Sequence, residues 1–214
     1  MPNWVDNSIQ IKGSEHSLER IKTILTKQND FIRAQNKGDE EYPLSKNELT
    51  FSNILCPPAE IWEEYFMPSG YSSDPELAKK YNNTETGWYE WNNKHWGTKW
   101  DACESIVEGE PADGSIRLYF QTAWSPVSDE LLSALAEILT ISGAESANYW
   151  YEEEQGWGGE MSWDRDLNQP WFRQVDEWDI PNSHADYEMR GRDCVCTWND
   201  YMYPDCPKSE TEEK

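Results

Sequence analysis

The residues with the clearest capacity for binding chemistry are the tryptophans and lysines between Gly87 and Ala102. Four of the chain's 13 tryptophans fall within this segment, together with Lys94 and Lys99. Indole rings stack on flat ligands, and a lysine beside them supplies a positive group for an anion. The same rings are large enough to build a core. The segment therefore predicts either a core that joins neighbouring elements or a pocket that stacks a base, a nucleotide or a peptide side chain.

Further binding candidates lie downstream of this segment. A predicted strand and the residues after it supply one more cation and one more indole, and a run of three glutamates offers carboxylates to a basic partner. The full set of ligand- or partner-binding candidates is Trp88, Trp91, Lys94, Trp96, Lys99, Trp100, Arg117, Trp124, Glu152, Glu153 and Glu154.

The common signatures of catalytic and metal sites are absent from the sequence. It contains no phosphate-binding glycine loop, no zinc-protease histidine pair and no nucleophile-elbow serine. Cys194, Cys196 and Cys206, with His184, would offer four ligands to zinc, but C-x-C is shorter than the usual zinc knuckle. We therefore predict a binding protein rather than an enzyme, with no catalytic residue, no metal and no cofactor.

The charge of the chain says more about its partners than about its fold. With 41 acidic and 18 basic residues, the formal net charge is -23. Such a field repels phosphate backbones and attracts basic surfaces at low salt. Two interpretations stay open, namely a surface that only maintains solubility and one that imitates nucleic acid toward a DNA-binding protein. We expect a partner with a basic or nucleic-acid-binding surface, and no direct binding to nucleic acid.

The location of the protein is predicted from what its sequence lacks. The N-terminus has no basic and apolar signal sequence, and no stretch approaches the roughly 20 apolar residues of a membrane span. The five cysteines are odd in number and irregularly spaced, unlike a secreted disulfide framework. We expect a soluble cytoplasmic protein that has no membrane partner.

The chain opens with a predicted strand over residues 7–13 and an amphipathic helix that begins after Ser14, a suitable N-cap. Residues 27–86 have a looser pattern with many glycine, proline and charged breaks, and we interpret them as an insertion laid over the core. Within this insertion the pattern predicts a short strand over 49–55 and two short helices over 59–66 and 75–81.

The later elements follow in a clear order. The tryptophan segment predicts a helix that ends at Gly97. The elements predicted after it are a strand over 100–108, a turn over 111–114, a strand over 116–121, a helix over 127–139 and a strand over 147–152, with an edge strand near 156–163. Ile116, Leu118 and Phe120 are predicted to face the core. Ser125 is predicted to cap the helix, and Gly143 to stop it.

This order is the β-α-β-β-α-β pattern of a ferredoxin-like sandwich, an α+β fold with two helices on one face of an antiparallel sheet. We therefore predict a ferredoxin-like domain over residues 1–164, with the insertion after its first helix. Residues 165–207 form an irregular aromatic extension that packs on the domain, and residues 208–214 form an acidic tail.

Four stretches carry a resemblance to a known family. They are Gly87–Trp91, Trp96–Ala102, Leu118–Pro126 and Glu154–Glu160. Together they resemble the YubB or Api-like family of phage and conjugative-plasmid proteins, over roughly residues 1–164. The resemblance implies a ferredoxin-like domain and an accessory protein of a mobile element, of a kind that often protects the element against host defence. It transfers no catalytic residue. The implied function is inhibition of a host defence or DNA-processing protein, and the alternative is sequestration of a nucleotide-like signal molecule.

Overall fold

A computed structural model describes residues 3–29, 48–61, 87–167 and 171–179. Within them one antiparallel sheet has six strands in the order β2-β3-β1-β4-β5-β6. The strands are β1 (Trp4–Gly13), β2 (Cys103–Glu108), β3 (Ser115–Ala123), β4 (Ala144–Glu153), β5 (Gly158–Asp164) and β6 (Arg173–Trp178). The helices are α1 (Glu15–Leu25), α2 (Trp88–His95) and α3 (Asp129–Ser142). The prediction of an α+β fold built on an antiparallel sheet is thereby confirmed.

The core lies between one face of the sheet and helices α1 and α3. Alternate residues of the central strand β1, such as Ile9 and Ile11, are buried with Leu18 of α1 and Leu135 of α3. The predicted core residues of β3 are likewise buried, each at most 3 % exposed: Ile116, Leu118 and Phe120. Because side chains alternate along a strand, the intervening residues lie on the opposite face, which we call the outer face.

The ends of the two core helices are fixed by polar contacts. Ser14 caps α1 as predicted, since its hydroxyl accepts a hydrogen bond from the Ser17 amide at 3.3 Å. The predicted cap of α3 is wrong: Ser128, not Ser125, accepts from the Leu131 amide. The Ser125 hydroxyl instead donates to the carbonyl oxygen of Gly97, so it joins two loops. Gly143 ends α3 as predicted, in the left-handed conformation.

The strand predicted over 49–55 is wrong, because a short 3-10 turn occupies Phe51–Asn53. Its polar groups are satisfied by neighbouring loops rather than by a strand. The Asp101 carboxylate accepts from the Phe51 amide, and the Asn53 side-chain amide donates to the carbonyl oxygen of Leu25. These contacts hold the turn against the end of α1 and the approach to β2.

The sheet extends further than the sequence pattern predicts. Strand β2 begins at Cys103, three residues later than predicted, because residues 97–101 turn before the strand starts. The predicted edge strand β5 is interior, because β6, from the stretch predicted to be irregular, pairs with it. The predicted helices over 59–66 and 75–81 lie mainly or entirely outside the described residues, as do residues 180–214 of the extension and tail. In the described part of the chain, no helix is long and apolar enough to cross a membrane.

Candidate partner-binding surfaces

The structure places one predicted binding residue, Trp96, in the core. Its side chain is 0 % exposed, and its ring packs edge-on against Phe51 with centroids 5.8 Å apart. The indole Nε1 donates a hydrogen bond to the carbonyl oxygen of Leu55 at 2.9 Å. Trp96 therefore joins the end of α2 to the described residues 51–55 of the predicted insertion, and no ligand can reach its ring.

The helical part of the tryptophan segment also has a mainly structural role. Trp91 stacks on His95 with centroids 4.6 Å apart and meets Trp96 edge-on at 5.5 Å. Nδ1 of His95 lies 2.8 Å from a Glu130 carboxylate oxygen, which links α2 to α3. The remaining candidates on this helix differ from Trp91. Trp88 is half-buried, and its ring lies edge-to-face against its neighbour Tyr89, whereas Lys94 is exposed.

Three tryptophans from separate parts of the chain form a row near the surface, which we call the indole row: Trp4, Trp100 and Trp124. The ring of Trp100 lies between the other two, with centroids 5.9 Å from Trp4 and 6.0 Å from Trp124. Trp4 is not among the binding residues predicted from the sequence. Trp4 is paired with Ala123, the residue before Trp124, so the pairing of β1 with β3 places Trp4 in the row.

Lys99 adds a positive charge to the indole row. Its Nζ lies 4.6 Å from the ring centroid of Trp100 and 5.8 Å from that of Trp124. A third ring, that of Tyr89 on α2, is also 5.8 Å away. These distances are within the roughly 6 Å range of a cation–π contact. The aromatic faces around Lys99 therefore form a site that holds a cation.

Trp124 has an unusual backbone conformation for a large residue. Its φ of 68° lies in the left-handed region, which costs a bulky side chain about 1–3 kcal/mol. Its amide donates to the carbonyl oxygen of Asn3 at 2.8 Å, which holds this conformation. The side chain is nevertheless 46 % exposed. The fold thus maintains a strained tryptophan on its surface, where the burial of the ring is incomplete.

The three glutamates at residues 152–154 have three different environments. Glu152 is on the outer-face side of β4, opposite Asp6 of β1, but its side chain is buried, at 8 % exposed. Glu153 points to the opposite side and is buried, and its carboxylate accepts from the Gln155 amide in the turn between β4 and β5. Glu154 is exposed and accepts from the Trp4 amide at 3.0 Å. The run is therefore not one continuous acidic patch.

A different set of carboxylates comes together on the outer face. Asp6 of β1 is directly opposite Glu152 of β4, and Glu160 of β5 is directly opposite Asp176 of β6. Opposed residues on neighbouring antiparallel strands have Cβ atoms about 4.5–5.5 Å apart, at which distance like charges repel. The sequence could not reveal these pairs, because each depends on the register of two strands.

The outer face also carries positive charges, and one of them, the exposed Arg173 of β6, lies opposite Ser162 on the same side of β5 as Glu160. Arg117, the remaining predicted cation, lies opposite Glu108 of β2. Its guanidinium donates to the hydroxyl oxygen of Tyr119 at 2.8 Å and lies 5.7 Å from that ring's centroid. Arg117 is therefore separate from the indole row in its contacts, and the structure does not join it to Lys99 in one pocket.

Asp101 carries a carboxyl whose pKa is raised. Burial raises this pKa to about 6, although hydrogen bonds from the backbone amides of Phe51, Ala102 and Ser52 act in the opposite direction. The group joins the turn at Phe51–Asn53, within the predicted insertion, to the approach to β2. Its partners are backbone amides, so its role is structural.

The described residues contain no group of three histidine, cysteine or acidic side chains placed to hold a metal ion. Cys194, Cys196, Cys206 and His184 lie outside the described residues. A small cavity in the core is lined by apolar side chains from β1, β3, α3 and residues 49–54, including Ile9 and Phe51. Its lining offers no charged group to a nucleotide.

Comparison with known proteins gives a limited result. No family model matches the chain, and no curated protein matches it. Among solved structures, the chain is similar to the crystal structure of a protein, api92, from Yersinia pseudotuberculosis, described under the family model DUF1281. The two share 13 % sequence identity with a TM-score of 0.44, and the match covers 85 % of this chain and 99 % of the other.

Proposed function

We propose that this protein acts by binding. The acidic half of its outer face, which we define by Asp6, Glu160 and Asp176, receives a partner with a basic or nucleic-acid-binding surface. The observation that carries this proposal is the acidic register of one face of the sheet, where Glu160 is directly opposite Asp176 and the exposed Asp6 is opposite the buried Glu152. The net charge of -23 acts in the same direction, since it attracts a basic surface over a distance at low salt.

The energetics of these pairs support a binding role over simple solubility. Directly opposed like charges on neighbouring strands destabilise a sheet, whereas charges scattered over helices solubilise a protein without that cost. Exposed carboxylates such as Glu19 on α1 and Glu137 on α3 illustrate the second arrangement. A basic partner placed over the outer face would remove the repulsion between Glu160 and Asp176 and so gain binding energy.

The biological setting follows from the resemblance to the YubB or Api-like family. The protein is then a cytoplasmic accessory protein of a phage or plasmid that inhibits a host defence or DNA-processing protein, with its acidic face in the place of nucleic acid. Its first four strands and helices α1 and α3 form a ferredoxin-like unit in this proposal. The strand order β4-β1-β3-β2 and the position of both helices on one face support that assignment.

Capture from a bacterial lysate tests the proposal with matched variants. The immobilised protein is exposed to the heparin-binding fraction, which is rich in basic nucleic-acid-binding proteins. We expect capture at low salt that is lost at high salt and in the presence of competing DNA. Glu160→Gln with Asp176→Asn should reduce capture, whereas Glu19→Gln with Glu137→Gln, which removes the same charge, should not. No capture at either salt concentration, or equal capture by both double variants, would contradict the proposal.

A second candidate function is capture of a nucleotide-like molecule. The position of Lys99 against Trp100 and Trp124 favours it, since a base stacks on an indole and a phosphate pairs with a lysine. Thermal unfolding in the presence of a nucleotide panel tests this function. A ligand that binds the folded state raises the unfolding temperature by mass action, and Lys99→Gln should abolish that rise.

A further inference from the structure

Lys99 and the rings around it show how this surface accommodates a positive group. Three aromatic faces, those of Tyr89, Trp100 and Trp124, lie within 5.8 Å of the Lys99 ammonium. Two of these rings are substantially exposed, Tyr89 at 43 % and Trp124 at 46 %. The site is therefore open to solvent on at least one side, and an incoming side chain can reach the same faces that Lys99 now covers.

We propose that this aromatic site binds an arginine side chain of the protein partner, which takes the place of Lys99 over Trp100 and Trp124. The inference rests on the proposed function, because it assumes that the partner is basic. A guanidinium is planar and less strongly hydrated than an ammonium, so it stacks on an indole face more favourably than lysine does. When Lys99 is displaced, its flexible side chain returns its ammonium to water.

The position of the site agrees with this occupant. Trp4, at one end of the indole row, lies on the same side of β1 as Asp6, two residues further along the strand. The Trp4 amide is also hydrogen-bonded to the exposed carboxylate of Glu154. The indole row is therefore next to the acidic half of the outer face, and a basic segment that crosses that face reaches the row. A free anion would meet repulsion along the same path.

The conformation of Trp124 is a separate observation in favour of a binding role. The left-handed backbone is unfavourable for a tryptophan, and the ring gains only incomplete burial in return. An asparagine or glycine would adopt this backbone more easily. Stacking of the Trp124 ring on a partner's guanidinium would explain why a tryptophan occupies this strained position.

Two synthetic peptides of equal length and charge test the inference. One alternates arginine with glycine and the other alternates lysine with glycine, and their affinities are measured by isothermal titration calorimetry at low salt. We expect the arginine peptide to bind about two- to fivefold more tightly, the range of an exposed cation–π contact. Trp124→Ala should remove this preference. Trp171→Ala, which removes an indole that is 52 % exposed and outside the row, should retain it.

A lysine variant tests whether the partner's arginine takes the place of Lys99. Lys99→Gln vacates the site and should strengthen binding of the arginine peptide more than Lys94→Gln does, although both remove one charge from the same region. Weaker binding of the arginine peptide to Lys99→Gln than to Lys94→Gln would overturn the inference. Equal binding of the two peptides, unaffected by Trp124→Ala, would overturn the inference alone. Failure of both peptides to bind would overturn the proposed function as well.

The folded state of each variant is checked by its thermal unfolding, and Trp100→Ala provides a second route to the same answer. Trp100 has the shortest distance to the Lys99 ammonium, 4.6 Å, so its removal should also abolish the preference for arginine. A preference that survives in both tryptophan variants, with folding intact, would contradict the assignment of the site.

Discussion

Glu160 and Asp176 are directly opposite each other on strands β5 and β6, with both carboxylates on the outer face of the sheet. This arrangement sets two negative charges side by side where neutral residues would be more favourable. The repulsion lowers the stability of the pairing between β5 and β6, the last two strands of the described sheet. The contact therefore connects the stability of the fold to the surface that we propose for binding.

Neutralising this pair should stabilise the protein. We expect Glu160→Gln with Asp176→Asn to raise the free energy of unfolding by about 0.2–1 kcal/mol, because it removes the repulsion between opposed strands. Urea denaturation at low salt measures the change. Glu19→Gln with Glu137→Gln, on the helices, should give a smaller gain. The absence of any difference between the two double variants would contradict the cost assigned to the pair.

Trp96 should be the tryptophan of the 87–102 segment on which stability depends most. Trp96→Ala removes a fully buried ring and should cost about 3–5 kcal/mol. Trp96→Phe keeps a ring but leaves the carbonyl oxygen of Leu55 without its indole donor, at a cost of about 1–3 kcal/mol. Trp171→Ala is the exposed control and should change stability by no more than about 0.5 kcal/mol. A loss of unfolding free energy in Trp171→Ala as large as that in Trp96→Ala, measured by denaturation, would refute the placement of Trp96 in the core.

A comparison of Gly97 with Gly114 separates the effect of backbone conformation on stability from the effect of steric crowding. Its φ is +84°, and an added Cβ would lie 2.5 Å from the Ser128 amide nitrogen. Gly114 has a similar φ of +78° but nothing within 4 Å of such an atom. Gly114→Ala should therefore cost only the roughly 1–2 kcal/mol of a left-handed alanine. Gly97→Ala should cost more, because α2 and α3 must move apart, and equal losses by thermal unfolding would contradict this.

Asp101 should make stability depend on pH. Burial raises the pKa of its carboxyl to about 6 from an ordinary value of 3.8, so the folded state binds a proton that the unfolded state releases. Its stabilising contribution is complete below about pH 4 and is lost as the pH rises through 6. The stability of wild type relative to Asp101→Asn should fall over this range, by on the order of 1–3 kcal/mol. A constant difference from pH 4 to pH 7 would show that the pKa is not raised.

Local signals in the sequence were sufficient for most of the fold. The alternation in β1 and β3, the Ser14 cap and the Gly143 stop each depend on a few neighbouring residues, and each is found as predicted. Strand β6 has no such signal, because five of its six residues are exposed and its backbone pairing alone places it in the sheet. The predicted cap Ser125 is wrong for a reason outside the local sequence, because its hydroxyl contacts the distant Gly97 carbonyl oxygen and Ser128 caps the helix instead.

The candidate surfaces were harder to predict because they combine distant residues. The density of tryptophan identified Trp100, but the same density also marked Trp96, which is buried, and Trp124 lies downstream of the dense segment. Trp4 joins the indole row only through the pairing of β1 with β3. The acidic pairs likewise depend on strand register, whereas the glutamate run that stands out in the sequence divides among three environments.

Zero-length crosslinking of carboxylates to lysine amines tests the central claim most directly. The protein is mixed with its captured partner from the heparin-binding fraction, treated with a carbodiimide, and analysed by mass spectrometry of the linked peptides. We expect links from the partner's lysines to Asp6, Glu160 and Asp176 on the outer face. Links confined to Glu19 and Glu137 on the helices, with none to the outer face, would contradict it.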